Sequence, residues 1–182
     1  MLGNDVIDRS LAARQSNWRR KGYLDKIFSP AEQLEVNRTD DQDLVVWLIW
    51  SMKEAAYKIV NRTMGKRFFD PVALVCDFDM GQGIASGTVS FQQKVFATST
   101  EIGPDFIHTI ALGHGLAFSD VEVVHGANQA GYLQRFNLEN PAIRLQKNRE
   151  LLPEIYHHGR KEATMASISH HGSRLCVAFL RN

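Results

Sequence analysis

Leu44-Val45-Val46-Trp47-Leu48-Ile49-Trp50-Ser51-Met52-Lys53-Glu54-Ala55-Ala56-Tyr57-Lys58-Ile59-Val60 is the stretch on which the reading of this chain turns. Its first half is apolar all round, so periodicity alone does not separate a buried helix from a strand. Its length, its alanines and its lack of Gly and Pro favour a helix. Just ahead, Thr39-Asp40-Asp41-Gln42-Asp43 supplies cap residues and acids suited to a helix start. In the second half, Ser51, Glu54 and Lys58 stand at i, i+3 and i+7 and share one face.

Working outward, Leu2 to Ile7 reads as a short strand, with Asp5 at its end beside Gly3. Arg9 to Lys26 is polar, and there Arg14, Arg19, Arg20, Lys21 and Lys26 face only Asp25. Phe28-Ser29-Pro30-Ala31-Glu32 reads as a helix start, with Ser29 as N-cap, Pro30 in the first turn and Glu32 three residues after the cap. Downstream, the period changes to short β-rich runs: Val72 to Phe78, Gly87 to Phe91, Lys94 to Thr100 and Phe106 to Leu112, punctuated by Gly81, Gly83, Gly103 and Pro104. Locally this is an antiparallel meander. After Gly113-His114-Gly115 come a strand (Phe118 to Val124), a helical stretch (Ala142 to Leu152) and a closing pair near Ala166–Ser169 and Leu175–Leu180. The class expected is α+β, helices laid on antiparallel sheet.

With 182 residues the chain is long enough for one good-sized domain or two small lobes sharing a core. Apolar residues at 44% and charged residues at 23% exclude wholesale disorder. With 21 Lys+Arg against 20 Asp+Glu, no global field attracts nucleic acid or membrane, so any basic preference is local. Two cysteines, Cys76 and Cys176, argue against a disulfide scaffold and for a reducing, cytoplasmic setting. Asp5 and Asp8 interrupt any secretion signal. The densest apolar run, Leu44 to Trp50, falls far short of the roughly 20 residues that span a bilayer.

Three spots can carry chemistry: Gly3-Asn4-Asp5, Glu54 with Lys58 flanked by Lys53, and Ile168-Ser169-His170-His171-Gly172. Each also has a plain reading. Asp5 can cap the next helix, Glu54 and Lys58 can be a surface pair contributing about 0.3–0.5 kcal/mol, and the histidines can be exposed loop residues.

Together they match a known pattern. Trp50-Ser51-Met52-Lys53-Glu54-Ala55-Ala56-Tyr57-Lys58 resembles the W-[SA]-x-K-E-[AS]-x-x-K signature of the 4′-phosphopantetheinyl transferase superfamily. Gly3-Asn4-Asp5 resembles that family's G-x-D at a strand end, and Phe28-Ser29-Pro30-Ala31-Glu32 its F-[ST]-x-x-E. Ser167-Ile168-Ser169-His170-His171-Gly172 is similar to its S-[IL]-[ST]-H-[SHD]-G, and Gly159-Arg160 to its G-[KR]-P turn. The nine-residue lysine–glutamate motif is specific; the others alone are weak. The resemblance implies transfer of 4′-phosphopantetheine from coenzyme A to a serine of an apo carrier protein, with release of 3′,5′-ADP. It implies Mg2+ held by Asp5 and Glu54, Glu54 as acceptor of the serine proton, and Lys58 acting on the departing phosphate. Ser169, His170, Arg160 and Lys53 become expected contacts of coenzyme A. The basic residues Arg14, Arg19, Arg20, Lys21 and Lys26 become a dock for an acidic acyl or peptidyl carrier protein.

The chain departs from the family's pattern in two places. Where many members carry a second acid after G-x-D, this chain has Ile7 followed by Asp8, and a strand puts Asp5 and Ile7 on one face and Asp8 on the other. The implied metal site therefore has two protein carboxylates, as in the short holo-acyl-carrier-protein synthase branch. Lys161 stands where the turn motif has Pro. The S-x-S-H-x-G strand closes this chain and G-x-D opens it. Joining the two ends would regenerate the order of the long, two-lobed members, so the terminal strands are expected side by side, in a sense the sequence leaves open. The material from Gly115 to Glu162 reads as a reduced second lobe, giving one transferase-like unit over residues 1–182 with lobes 1–113 and 114–182. A monomeric pseudo-dimer is expected, with a homotrimer as the alternative. Two other classes stay open: a catalytically weakened coenzyme A- or carrier-binding protein on the same fold, and a histidine-rich metal protein using the pairs 157–158 and 170–171. Those pairs lack helical i, i+4 spacing and a nearby Cys.

Overall fold

The computed structural model describes residues 1–65, 68, 70–158, 160 and 163–181. The chain opens with β1 (Leu2–Asp8), α1 (Arg9–Gln15), α2 (Pro30–Arg38) and the 23-residue α3 (Gln42–Met64). A meander follows: β2 (Val75–Met80), β3 (Ile84–Phe91), β4 (Lys94–Ile102) and β5 (Phe106–Leu112). The rest of the chain is β6 (Val121–Ala127), α4 (Tyr132–Glu139), β7 (Ile143–Lys147), β8 (Pro153–His157), β9 (Ala163–His171) and β10 (Arg174–Leu180).

The strands form two antiparallel five-stranded sheets, in the orders β1-β5-β4-β3-β2 and β6-β10-β9-β8-β7. The two orders are the same: the first strand pairs with the last, and the rest run back as a meander. Helices interrupt both halves after their first strand, α1 to α3 in one and α4 in the other. The chain is thus an α+β pseudo-dimer in topology. Registers make the correspondence residue by residue. Leu2 pairs with Leu112 as Val121 pairs with Leu180, so Asp5 corresponds to Val124 and Val6 to His125.

Local signals set the helix starts. Ser29 closes a capping box: its hydroxyl accepts from Glu32 N at 3.3 Å while Glu32 Oε2 accepts from Ser29 N at 2.7 Å. Asp41 caps α3, and Gly65 ends it in the left-handed conformation. Val45, Val46, Leu48, Ile49, Met52, Ala55, Ala56 and Ile59 of α3 are buried in the first core. A second core fills the other half around Phe136, Leu145, Ile155, Val177 and Phe179. Leu2, Leu112, Val121 and Ala178 form a third cluster, with residues from both sheets.

Three sequence expectations are corrected. Ala142 to Leu152 is not a helix: Ile143-Arg144-Leu145-Gln146-Lys147 alternates with Leu145 buried and Arg144 exposed, and pairs with β8. The helix of this half is α4, whose Tyr132, Leu133 and Phe136 pack into the second core. The strands expected from Val72 and from Phe118 start at Val75 and Val121, each after a single 3-10 turn.

The terminal strands do meet, though in different sheets. The free edge of β1 lies on side chains of β9: Asn4 N donates to Ser167 Oγ at 3.0 Å and Asp8 N to His171 Nδ1 at 3.1 Å, both across 163 residues of sequence. The constant offset fixes the sense: β1 runs parallel to β9, hence antiparallel to β10.

Candidate active site

Gly3 decides how α3 sits on β1. A Cβ there would lie 2.1 Å from Ala55 O, so any larger residue would push the helix away. The close approach lays the Ser51–Glu54–Lys58 face beside Asp5. Ser51, buried, donates to Asp5 O at 3.4 Å. Lys58 Nζ reaches Asn4 O at 2.5 Å, Ile168 O at 3.3 Å and Asp5 Oδ1 at 3.5 Å, so one ammonium ties α3, β1 and β9 together.

Asp5 is the unusual group. Its side chain is 14% exposed, and Oδ2 has no hydrogen-bond partner among the described residues. Burial pushes its pKa up to about 7, with the Glu54 carboxylate adding to the rise and Lys58 opposing it. Glu54 is half-buried, and burial raises its pKa too, again against Lys58. It borders a small cavity of about 80 Å3 with Tyr57, Phe68 and Asp70. Burial raises both carboxyls, and Lys58 is the cation that opposes the rise at each.

Ser169 lies on the side of β9 that faces β1, in step with Ser167 and His171, and its hydroxyl is buried without a partner among the described residues. His170 points to the opposite side of the strand and is exposed. Arg160 is exposed and bound through its backbone N to His157 O; its neighbours Gly159 and Lys161 lie outside the described residues. Thus Asp5, Glu54 and Lys58 come together and Ser169 lies on the side of β9 turned to β1, while His170 and Arg160 make no described contact with them.

Lys53 is a correction. It is 1% exposed, and its three N–H bonds go to Glu32 Oε2 at 2.8 Å, Pro71 O at 2.7 Å and Leu74 O at 2.6 Å. With every donor satisfied inside the fold, it has none left for a phosphate. Glu32 receives it while also capping α2 and accepting from Cys76 N at 2.8 Å. The two motifs F-S-P-A-E and W-S-M-K-E are thus joined by a buried ion pair.

Asp8, the other acid near the strand end, caps α1 by accepting from Leu11 N at 2.9 Å. Gly172, at φ +58°, comes close to it: a Cβ there would stand 2.7 Å from Asp8 Oδ2. In the basic segment all five cations are exposed, but Arg19 is bonded twice to Asp43, at 3.2 and 3.0 Å, and lies over Trp18. Ser51 and Asn4 were given no role of their own from the sequence, though Ser51 shares the face of Glu54 and Asn4 lies within Gly3-Asn4-Asp5.

The family model for the 4′-phosphopantetheinyl transferase superfamily matches residues 1–111. Among solved structures, the crystal structure of Thermotoga maritima holo-[acyl-carrier-protein] synthase is similar to this chain at 11% identity, covering 84% of this chain and 83% of that one, with a TM-score of 0.44. No curated protein matches.

Proposed function

This chain belongs to the 4′-phosphopantetheinyl transferase superfamily, and on that premise we propose that it moves 4′-phosphopantetheine from coenzyme A to a serine hydroxyl of an apo carrier protein. The observation that carries the reading is the convergence of Asp5, Glu54 and Lys58 where Gly3 lets α3 touch β1, with Asp5 Oδ2 buried and without a partner among the described residues.

The donor set fits Mg2+, a hard cation that takes one or two carboxylates and completes its octahedron with water and phosphate oxygens. Asp5 and Glu54 would hold it; when bound, it would neutralise charge on the pyrophosphate. Asp5 would serve as the ionised carboxylate. The carrier's serine oxygen forms the new bond to the β-phosphorus, and the bond to the oxygen of 3′,5′-ADP breaks with its electron pair. Glu54 takes the serine proton, directly or through one water. Lys58, one turn along the same face, offsets the charge that collects on the leaving phosphate. Ser169, His170 and Arg160 remain proposed phosphate contacts, Ser169 the best supported because its buried hydroxyl lacks a partner among the described residues. Arg14, Arg20, Lys21 and Lys26 would meet an acidic carrier. Among the described residues no helix is long and apolar enough to cross a membrane. A cytoplasmic location and a monomer divided into lobes 1–113 and 114–182 accompany this reading; sedimentation separates that monomer from a homotrimer.

Incubation with coenzyme A, Mg2+ and apo carrier proteins, read by intact mass, tests the reaction. A carrier gaining the mass of phosphopantetheine supports it. Coenzyme A binding without transfer would point to the weakened binding protein instead.

A further inference from the structure

The second sheet leaves a looser counterpart of the β1–β9–β10 junction, where only side chains of β4 and β5 approach one from β6. Registers place Glu101 as the counterpart of Ser169 and His108 as the counterpart of Cys176. The counterpart of Asp5 is Val124, so the carboxylate of the first junction is missing from this one. In its place stands a different donor set. Glu101 and His108 are directly opposed on β4 and β5, and His125 and Cys176 are directly opposed on β6 and β10. One ligand atom each from Glu101, His108 and His125 lies within 4.8 Å of the others. The two imidazole rings stand edge to face, with centroids 5.6 Å apart.

We propose that Glu101, His108 and His125 bind a borderline transition-metal cation, Zn2+ being the prime example, between the two sheets and apart from the Asp5–Glu54 site. Two imidazoles and one carboxylate are a zinc donor set, with water in the fourth position. Ligand atoms about 2.1 Å from a tetrahedral ion stand about 3.4 Å apart, so the three would draw in by about an ångström. Glu101 and His125 are exposed and free to adjust, while His108 is 3% exposed and fixed. The surrounding groups suit metallated rings. Cys176 Sγ lies 3.4 Å from His125 Nδ1, so Nδ1–H can donate to sulfur and leave Nε2 for the metal. On His108, Nε2 faces the Asn4 amide nitrogen at 3.2 Å, and Asn4 Oδ1 is buried with no partner among the described residues. Binding through Nδ1 of His108 puts the proton on Nε2, so the Asn4 amide has to turn, giving up its 3.2 Å bond to Cys176 O, to accept that proton through Oδ1. Asn4 also receives Lys58 on its backbone oxygen, so the metal would brace the strand that carries Asp5. The site is independent of the transferase reading, and none of its ligands belongs to the His157–His158 or His170–His171 pairs.

The test uses the full chain, stripped with EDTA and titrated with Zn2+ alone in millimolar Mg2+. The expected result is one Zn2+ per chain at submicromolar affinity, a rise in Tm on loading, and binding at least roughly tenfold weaker in His125→Ala and in Glu101→Gln. His114→Ala, on an exposed loop, is the control and should bind as the wild type does. Since a variant can fail to fold, Co2+ substitution of the wild type gives a second readout: an intense tetrahedral visible band without the near-ultraviolet thiolate transition. Absence of saturable Zn2+ binding, or binding unchanged in both ligand variants, would overturn the proposal. So would binding lost in Asp5→Asn, or a weak octahedral Co2+ spectrum.

Discussion

Asp5 sits in a fold that is ill suited to its charge. Burial and the Glu54 carboxylate outweigh Lys58, so the folded pKa of about 7 lies above the ordinary carboxylate value of 3.8. The sign follows from linkage: a carboxyl with a raised folded pKa adds stability below its unfolded pKa, and that stability is lost as pH rises from about 4 through 7. In EDTA, Asp5→Asn should therefore be more stable than the wild type at pH 8, by roughly 1–3 kcal/mol once the lost Lys58 contact is counted. The gain should vanish near pH 4. Urea unfolding at the two pH values checks this, and a wild type more stable than the variant at pH 8 would refute it. Lys58 has two duties, since it also ties the backbones of β1 and β9. Lys58→Met should lower kcat at unchanged KM for coenzyme A and should lower Tm as well; a loss of Tm with kcat unchanged would leave only the structural duty.

At the scale of elements, what could be read in advance was what local chemistry decides. The Ser29 capping box, the start of α3 and the bounds of β5 need only their own residues, and each stands where the residues placed it. Ala142 to Leu152 misled because its Leu, Arg, Lys and Glu content suits a helix, whereas its pairing with β8 favours the alternation of Ile143 and Leu145. Lys53 misled for a related reason. The motif put it beside Glu54, but its partner Glu32 is 21 residues away, and only the packing of α2 on α3 brings them to 2.8 Å. The site was legible in its acids and its lysine because a resemblance supplied their roles. The β1–β9 junction spans 163 residues, beyond any local signal. The buried pair gives a sharp expectation. Lys53→Met strands Glu32 as an unpaired buried charge and should cost about 3–5 kcal/mol, while adding Glu32→Gln should restore part of it. Chemical denaturation of the single and double variants measures both. A single variant as stable as the wild type would contradict the pairing.

For the whole molecule, duplicated sheet order without an acid at the place of Asp5 in the second half explains why a pseudo-dimer would hold a single transfer site: the counterpart of Asp5 is Val124, and α4, with 8 residues, is no counterpart to α3. The charge pattern adds a docking expectation. Arg19 is engaged by Asp43 and Arg20 lies over the Tyr23 ring, so Arg14, Lys21 and Lys26 are the cations to reverse. Changing them to Glu should raise KM for an acidic carrier several-fold and flatten its salt dependence, with KM for coenzyme A unmoved. A carrier KM that did not move would make the patch a solvated surface. The central claim, that Asp5 and Glu54 with Lys58 carry out phosphopantetheinyl transfer, is tested most directly by the intact mass of an apo carrier protein after incubation with coenzyme A and Mg2+. Wild-type enzyme should add one phosphopantetheine per carrier, and a folded Glu54→Gln should slow this by roughly 100-fold or more. Modification at the wild-type rate by Glu54→Gln would contradict the account.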